Sequence, residues 1–230
     1  MISDVFLMLK LDFHVHSCYS DDAIGTPKDI IQAIQRRRLH GMALTDHNKL
    51  EGSLKASAIA PKDFIAIPSM EITTADGHLL ALNVTSTIPP GLSIEETVER
   101  VIDAGGIPVV PHLHRLLSGI KKSNLDKIRG KLSAIEVFNG CSTPKTNLKV
   151  AKTARALNLG GTGGSDSHDP MYAGYAYTVV DTTDARIDTI LTELQKKKTW
   201  GEGVVMPLSY RRDRMIISVR QFVSRGFHRI

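Results

Sequence analysis

Residues 9–16 read LKLDFHVH. Leu11, Phe13 and Val15 share one parity and Asp12, His14 and His16 the other, which predicts a strand with an apolar side and a polar side. Two imidazoles at i and i+2 of a strand project together, so their ring nitrogens can hold one cation. A lone histidine on a strand is more often structural; the pair makes a ligand reading at least as good. The run then enters an acidic turn, SDDAIGTP (20–27). Two later strand-like runs close in the same way, at LTDH (44–47) and GGSDSH (163–168), each with His beside Asp. A fold that gathers these turns at one end of a sheet builds a multinuclear metal site.

Working outward, strand and helix patterns alternate along the chain. Thr26-Pro27 reads as an N-cap and first helical residue, opening a helix through Arg38. GMALTDH (41–47) is the second strand, and a helix over 51–60 ends at Pro61. FIAIPSMEI (64–72) and HLLALNVT (78–85) are the third and fourth strands, joined by TTADG. Ser93 and Glu96 form a capping box, behind which Ile94, Val98, Val101 and Ile102 mark one helical face. Gly105-Gly106 ends that helix. IPVVPHLH (107–114) and LSAIEVFNG (132–140) are the fifth and sixth strands. A helix around 146–157 leads to NLGGTGGSDSH (158–168), the seventh. YAYTVVD (175–181) is a further strand, followed by a helix marked by Ile187, Ile190, Leu191 and Leu194. This rhythm predicts a parallel α/β sheet with helical crossovers. Seven or so units without a Gly-rich dinucleotide turn favour a closed barrel. GTGGSDSH lacks the lysine of a phosphate loop, so its glycines are expected to let the backbone pass close beneath the site.

The chain has 230 residues, 42% of them hydrophobic, which suits one domain with a real core. No apolar stretch reaches the roughly 18 residues of a membrane span. MISDVFLMLKLDF lacks a basic n-region and a small-residue cleavage site and reads as a poor signal peptide. A cytoplasmic location and no membrane partner are the expectations. The two cysteines, Cys18 and Cys141, make no disulfide framework; Cys18, two residues after His16, is either a ligand or a small apolar thiol.

The net charge of +5 is uneven. Residues 208–230 hold six arginines (Arg211, Arg212, Arg214, Arg220, Arg225 and Arg229) against Asp213, while the other 207 residues carry 23 basic and 23 acidic groups. The basic character belongs to a tail, not to a nucleic-acid-binding body. The expected division is a barrel over 1–207 and a basic C-terminal helix over 208–230. Ile216, Val219, Val223 and Phe227 recur there at helical spacing, with Phe222 beside them. That stripe is expected to pack on the barrel, leaving the arginines as a solvated face.

Seven of the nine histidines fall at strand ends or starts; His40 and His228 do not. Glu71, at the end of FIAIPSM, needs a partner or a metal there, and its two oxygens suit it to bridge two cations. His78, His112, His114, Asp46-His47, and the i, i+2 pair Asp166 and His168 complete the candidates.

In order, FHVHSCYSDD, LTDH, MEITTADGHLLAL, PHLHR, IEVFNG and GGSDSH resemble the polymerase and histidinol phosphatase (PHP) family of metal-dependent phosphoesterases. The resemblance spans residues 12–168. It implies a distorted seven-stranded, TIM-barrel-like β/α fold with two or three divalent cations at the C-terminal strand ends. It places His14, His16, Glu71 and Asp166 around one metal, with Glu71 bridging to a second completed by His78 and His112. Asp21, His47 and His168 surround a third, with Asp22 as the alternative to Asp21. The family usually has His-Pro in the fifth segment; here it reads HLHR, leaving His112 as the match and His114 as an extra. Arg115 stands where the family tends to carry a phosphate-gripping arginine, against the plainer reading of a surface ion pair.

The expected chemistry is hydrolysis of a phosphate ester, with clustered cations turning water into hydroxide near neutral pH. Imidazole ligands suit Zn²⁺, Mn²⁺ or Fe²⁺ better than Mg²⁺. Asp166 or His168 is the candidate helper of the leaving group, and Arg115 the bidentate hold on phosphate. The expected substrate is a small phosphate monoester or nucleotide. One alternative is a nuclease or oligonucleotide phosphatase whose arginine-rich tail tracks nucleic acid. Another is a non-catalytic RNA-binding subunit resembling the ribonuclease P protein. The oligomeric state is not legible.

Overall fold

The computed structural model describes residues 7–224 and 226. In chain order the elements are β1 (Leu7–Val15), α1 (Pro27–Arg36), β2 (Gly41–Leu44), α2 (Glu51–Ile59), β3 (Ile65–Thr74), β4 (Gly77–Leu82), α3 (Ile94–Asp103), β5 (Ile107–Val110), α4 (Lys122–Ile128), β6 (Ala134–Asn139), α5 (Pro144–Ala156), β7 (Gly160–Gly164), β8 (Ala176–Thr182), α6 (Ile187–Gln195), β9 (Thr199–Gly203) and α7 (Leu208–Ser224). Thr26 caps α1 with Pro27 in its first turn, and Asp29 completes a reciprocal box; Ser93 and Glu96 do the same for α3. Ile94, Val98 and Val101 of α3 are buried, but Ile102 is exposed.

All nine strands form one sheet in the order β7-β6-β5-β4-β3-β2-β1-β8-β9. β1, β2 and β3 run parallel, as do β5, β6 and β7. β4 is antiparallel to both neighbours, and β8 is antiparallel to β1 and β9. The sheet is therefore mixed, not wholly parallel. β4 returns from β3 through the short turn at Ala75–Asp76, leaving no room for a crossover helix.

The sheet curls until its two ends nearly meet. Across that seam Thr178 Oγ1 bonds Gly163 N–H at 2.9 Å, and Thr199 Oγ1 bonds Gly161 O at 2.9 Å. The glycines of β7 make the approach possible. A Cβ on Gly163 would lie 2.2 Å from Tyr177 O, and one on Gly164 2.2 Å from the Cβ of His14. The result is the expected barrel-like α/β domain.

Its interior is filled by Leu9, Leu11, Phe13, Ile65, Ile67, Leu80, Leu82, Val109 and Val180, joined by Ile190, Leu191 and Leu194 of α6. Val15 does not share that interior: it packs outside with Ile30, Ile34, Met42 and Leu44. The expected single apolar side of residues 11–15 thus breaks after Phe13. The β1–β2 register slips between Asp12 and Val15, and a bulge there re-aims the strand. α7 has no buried residue. Ile216, Val219 and Val223 are exposed, so the expected packing of that stripe is not found; Phe227 lies outside the described residues. No described helix is long and apolar enough to cross a membrane.

Candidate metal centre

Because of the β1 bulge, His14 and His16 both enter the barrel mouth above Phe13. His47 follows β2, Glu71 lies within β3, His112 follows β5, and Asp166 and His168 follow β7. His78 begins β4, yet reaches the same end, because that strand runs the other way and pairs Thr73 with His78. All eight side chains are buried.

Glu71 sits at the centre. Its Oε2 lies 3.2 Å from His14 Nε2, 3.3 Å from His16 Nε2 and 3.3 Å from His47 Nδ1. Its Oε1 lies 2.8 Å from His78 Nδ1 and 3.0 Å from His112 Nε2. The two oxygens therefore face two different sets of imidazoles. Asp166 Oδ1 stands 3.5 Å from both His14 Nε2 and His16 Nε2. Four overlapping groups have ligand atoms within 4.8 Å of one another: His14/Glu71/His112, His14/His16/Asp166, His47/Glu71/His78 and His16/His47/His168.

These donors fit divalent cations. His16 Nε2, His47 Nδ1, His168 Nε2 and Asp22 Oδ1 are buried without a hydrogen-bond partner among the described residues. Buried polar atoms of this kind are costly unless something binds them. Their protonation also suits ligation, which needs neutral imidazole and ionised carboxylate. Burial, and for His16 the neighbouring His168, holds His16 down to about 4; burial holds His47 and His112 to about 3. His168 is lowered too, chiefly by burial. Burial alone would raise Glu71 and Asp166, but His14, His47 and His78 around the first, and Arg115 and His14 around the second, keep both well below the carboxylate range. His14 alone moves up: burial opposes its charge, and Asp166, Glu136 and Glu71 overcome that. A cation would take the place of its proton.

A second layer orients these groups. Glu136 Oε1 accepts from His14 Nδ1 at 3.0 Å, which turns Nε2 toward Glu71. Its Oε2 accepts from His112 N–H at 2.8 Å and Asn139 Nδ2 at 2.9 Å. Asp46 accepts from Ser17 N–H and from the hydroxyls of Ser17 and Ser20, all within 2.9 Å. Asp12 accepts from Ser165 and Gly174 N–H and ties β1 to the β7 turn. The Asp46 carboxylate is thus spent on the turn, leaving His47 as the member of its pair in the cluster. Asp166 and His112 take positive φ, 54° and 29°, so backbone strain is held at two of the candidate ligands.

Arg115 Nη2 donates to Asp166 Oδ2 at 2.5 Å and to Asn139 Oδ1 at 3.2 Å, so its ion pair is inside the site. Asp21 does not reach the cluster. Its side chain is 69% exposed and pairs with Lys49 at 2.8 Å, whereas Asp22 is 3% exposed and stands 3.3 Å from His168 Nε2. Of the two adjacent carboxylates the turn exposes the first and buries the second. His114 is on the surface and Cys18 is exposed; neither joins a ligand group. Cys141 is held among Asp166 O and Met206 Sδ, and burial pushes its thiol up. Four contributors were not foreseen. Glu136 and Asn139 stood in IEVFNG, where an acid inside an apolar strand was a readable signal. Tyr210 and Arg214 of α7 gave none beyond their place in the basic tail.

The barrel-like sheet thus gathers buried imidazoles and carboxylates at one rim, in clusters able to bind metal. The chain belongs to the PHP domain family. The PHP domain model matches residues 12–106 and the PHP-associated model residues 144–199. An uncharacterized protein of Methanocaldococcus jannaschii is 32% identical over 145 residues, which cover 57% of this chain and 82% of the relative. A two-domain protein of Bacteroides vulgatus containing a predicted PHP-like metal-dependent phosphoesterase shares the fold. It shows a TM-score of 0.75 and 20% identity, over 86% of this chain and 66% of its own. The lesion-specific endonuclease Q of Pyrococcus furiosus also shares it, with a TM-score of 0.65 and 16% identity over 83% of this chain and 56% of its own.

Proposed function

We propose that this protein is a metal-dependent phosphoesterase acting on a small phosphate monoester or nucleotide. The observation that carries the reading is the division of Glu71, one oxygen toward His14, His16 and His47 and the other toward His78 and His112. A carboxylate shared in this way suits two cations held side by side. His14, His16, Glu71 and Asp166 would hold one, Glu71, His78 and His112 a second, and His47, His168 and Asp22 a third. Zn²⁺, Mn²⁺ or Fe²⁺ match this imidazole-rich set better than Mg²⁺. Such cations supply acidified water and neutralise the phosphoryl oxygens.

The chain's own groups do the rest. Asp166 and Asn139 hold one edge of the Arg115 guanidinium, and its remaining N–H groups are free to grip a non-bridging phosphoryl oxygen. Glu136 keeps the proton of His14 on Nδ1, so Nε2 serves as a donor atom. His168 Nδ1 faces Asp166 O at 3.1 Å, which spends its N–H and leaves Nε2 as a lone pair. Arg115 holds Asp166 ionised. Both residues are therefore better ligands than proton donors, and we assign neither as the acid for the leaving group. Candidate ligands are present for each proposed cation, which weighs against a non-catalytic RNA-binding role. Arg211 and Arg214 of the tail are taken up by barrel contacts, which weakens the case for a tail that tracks nucleic acid.

The test is metal analysis of protein purified without chelator, followed by hydrolysis of small phosphate monoesters, nucleoside bisphosphates and short oligonucleotides. Bound Zn, Mn or Fe with metal-dependent release of phosphate from the small esters is the expected result. Protein that holds no divalent metal, or that cleaves oligonucleotides alone, overturns it.

A further inference from the structure

Neither family match extends beyond residue 199, so α7 lies outside both. Yet α7 reaches the metal centre. Tyr210, Arg211 and Arg214 occupy one face of its first turns, and that face meets the barrel mouth. Tyr210 Oη accepts from His168 N–H at 3.0 Å, and its ring lies 4.2 Å from that of Tyr172. Arg211 Nη1 donates to Ser142 O at 3.4 Å. Arg214 Nη1 donates to the backbone carbonyl of Asp22 at 2.9 Å, and Nη2 to Asp22 Oδ2 at 2.7 Å. Arg214 is 13% exposed at its side chain.

Those two bonds grip the main chain and the carboxylate of one residue, which fixes the Asp22 rotamer. The same oxygen, Oδ2, stands 3.3 Å from His168 Nε2, while Oδ1 is buried without a hydrogen-bond partner among the described residues, as are Nε2 of His168 and Nε2 of His16. We propose that Arg214 is a positioning residue of the metal centre: it holds the Asp22 carboxylate beside His168, where it joins the subsite of His16, His47 and His168. The role rests on the reading of the cluster as a metal site. A guanidinium beside a ligand carboxylate weakens that ligand as a charge, so the benefit must be geometric. Asp21, one residue away in the same turn, lies instead at the surface and pairs with Lys49. Since α7 buries none of its own residues, the clamp also joins helix docking to metal occupancy, and the coupling acts in both directions.

The experiment strips the full chain with chelator, titrates it with Zn²⁺ or Mn²⁺, and reads stoichiometry and affinity in wild type, Arg214→Ala, Arg214→Lys and Arg212→Ala. Arg212 is an exposed control on the same helix, paired with Asp213. Circular dichroism melts establish folding. The expected result is loss of one cation, or about tenfold weaker binding at one site, in Arg214→Ala. The other cations should remain, Arg214→Lys should recover part of the loss, and Arg212→Ala should match wild type. Unchanged binding in Arg214→Ala overturns the positioning role alone, as does equal loss in Arg212→Ala. Wild type that binds no cation overturns the metal-site reading and this role together.

Discussion

Glu136 closes one oxygen on His14 Nδ1 and the other on the backbone N–H of His112, so a single buried carboxylate sets two ligands at once. Replacing it with glutamine keeps the volume but removes the charge that favours the Nδ1–H tautomer. Glu136→Gln should weaken metal binding about 10- to 100-fold, read by competition with a chromogenic chelator; unaltered affinity would sink that role. The imidazoles make a pH prediction. His16, His47 and His112 take up protons in the fold only near pH 4, 3 and 3, against 6.5 in the unfolded chain. Between about pH 6.5 and 4 the unfolded state therefore binds more of these protons, and acid lowers stability. Asp12 and Asp46, raised to about 6 by burial, act in the opposite sense but are outnumbered once His168 is included. His14, shifted up, changes its contribution only above pH 6.5. Chelator-treated protein should have a lower urea midpoint at pH 4.5 than at pH 6.5, and a higher one would contradict this. The histidines were legible because each ends or begins an apolar run. Asp22 and Asp21 could not be told apart, since a turn of unknown geometry decides which one is buried. The Asp22–Arg214 bond spans 192 positions, a distance no local pattern reports.

At the scale of elements, β1 and β7 do the positioning. The bulge in β1 lifts His14 and His16 to the mouth, while Phe13 stays below them in the core. β7 is a run of glycines because its neighbours leave no space for side chains. A methyl at Gly164 would meet His14 Cβ at 2.2 Å and His14 N at 2.7 Å. Gly164→Ala should cost about 1–3 kcal/mol of stability and weaken metal binding, because relief must move His14. Melting with and without metal would check it, and a stable variant with intact metal affinity would show that the seam is looser than described. The alternation of strands and helices was legible, with the α1 and α3 caps, because periodicity and capping are local. The direction of β4 was not: HLLALNV is apolar on both faces and reads the same either way. β9 escaped notice because TWGEG carries two glycines and no alternation. α4 escaped because Lys121 offers no side-chain cap.

For the whole molecule, strands from both halves of the chain meet at one rim, and the proposed ligands are drawn from residues 14 to 168. Such a site exists only when the barrel has closed, so metal and fold should stabilise one another. The proposed ligands are nearly inaccessible, and α7 stands over one side through Tyr210 and Arg214, an arrangement that suits the proposed compact phosphate ester. The central claim is that Glu71 is shared. It is tested by counting cations per chain in wild type, Glu71→Ala and His112→Ala, each purified without chelator and verified as folded. Glu71→Ala should lose or weaken more than one cation, while His112→Ala loses one. Loss of a single cation in Glu71→Ala, with the others bound at wild-type affinity, would contradict the shared carboxylate and the proposed site built around it.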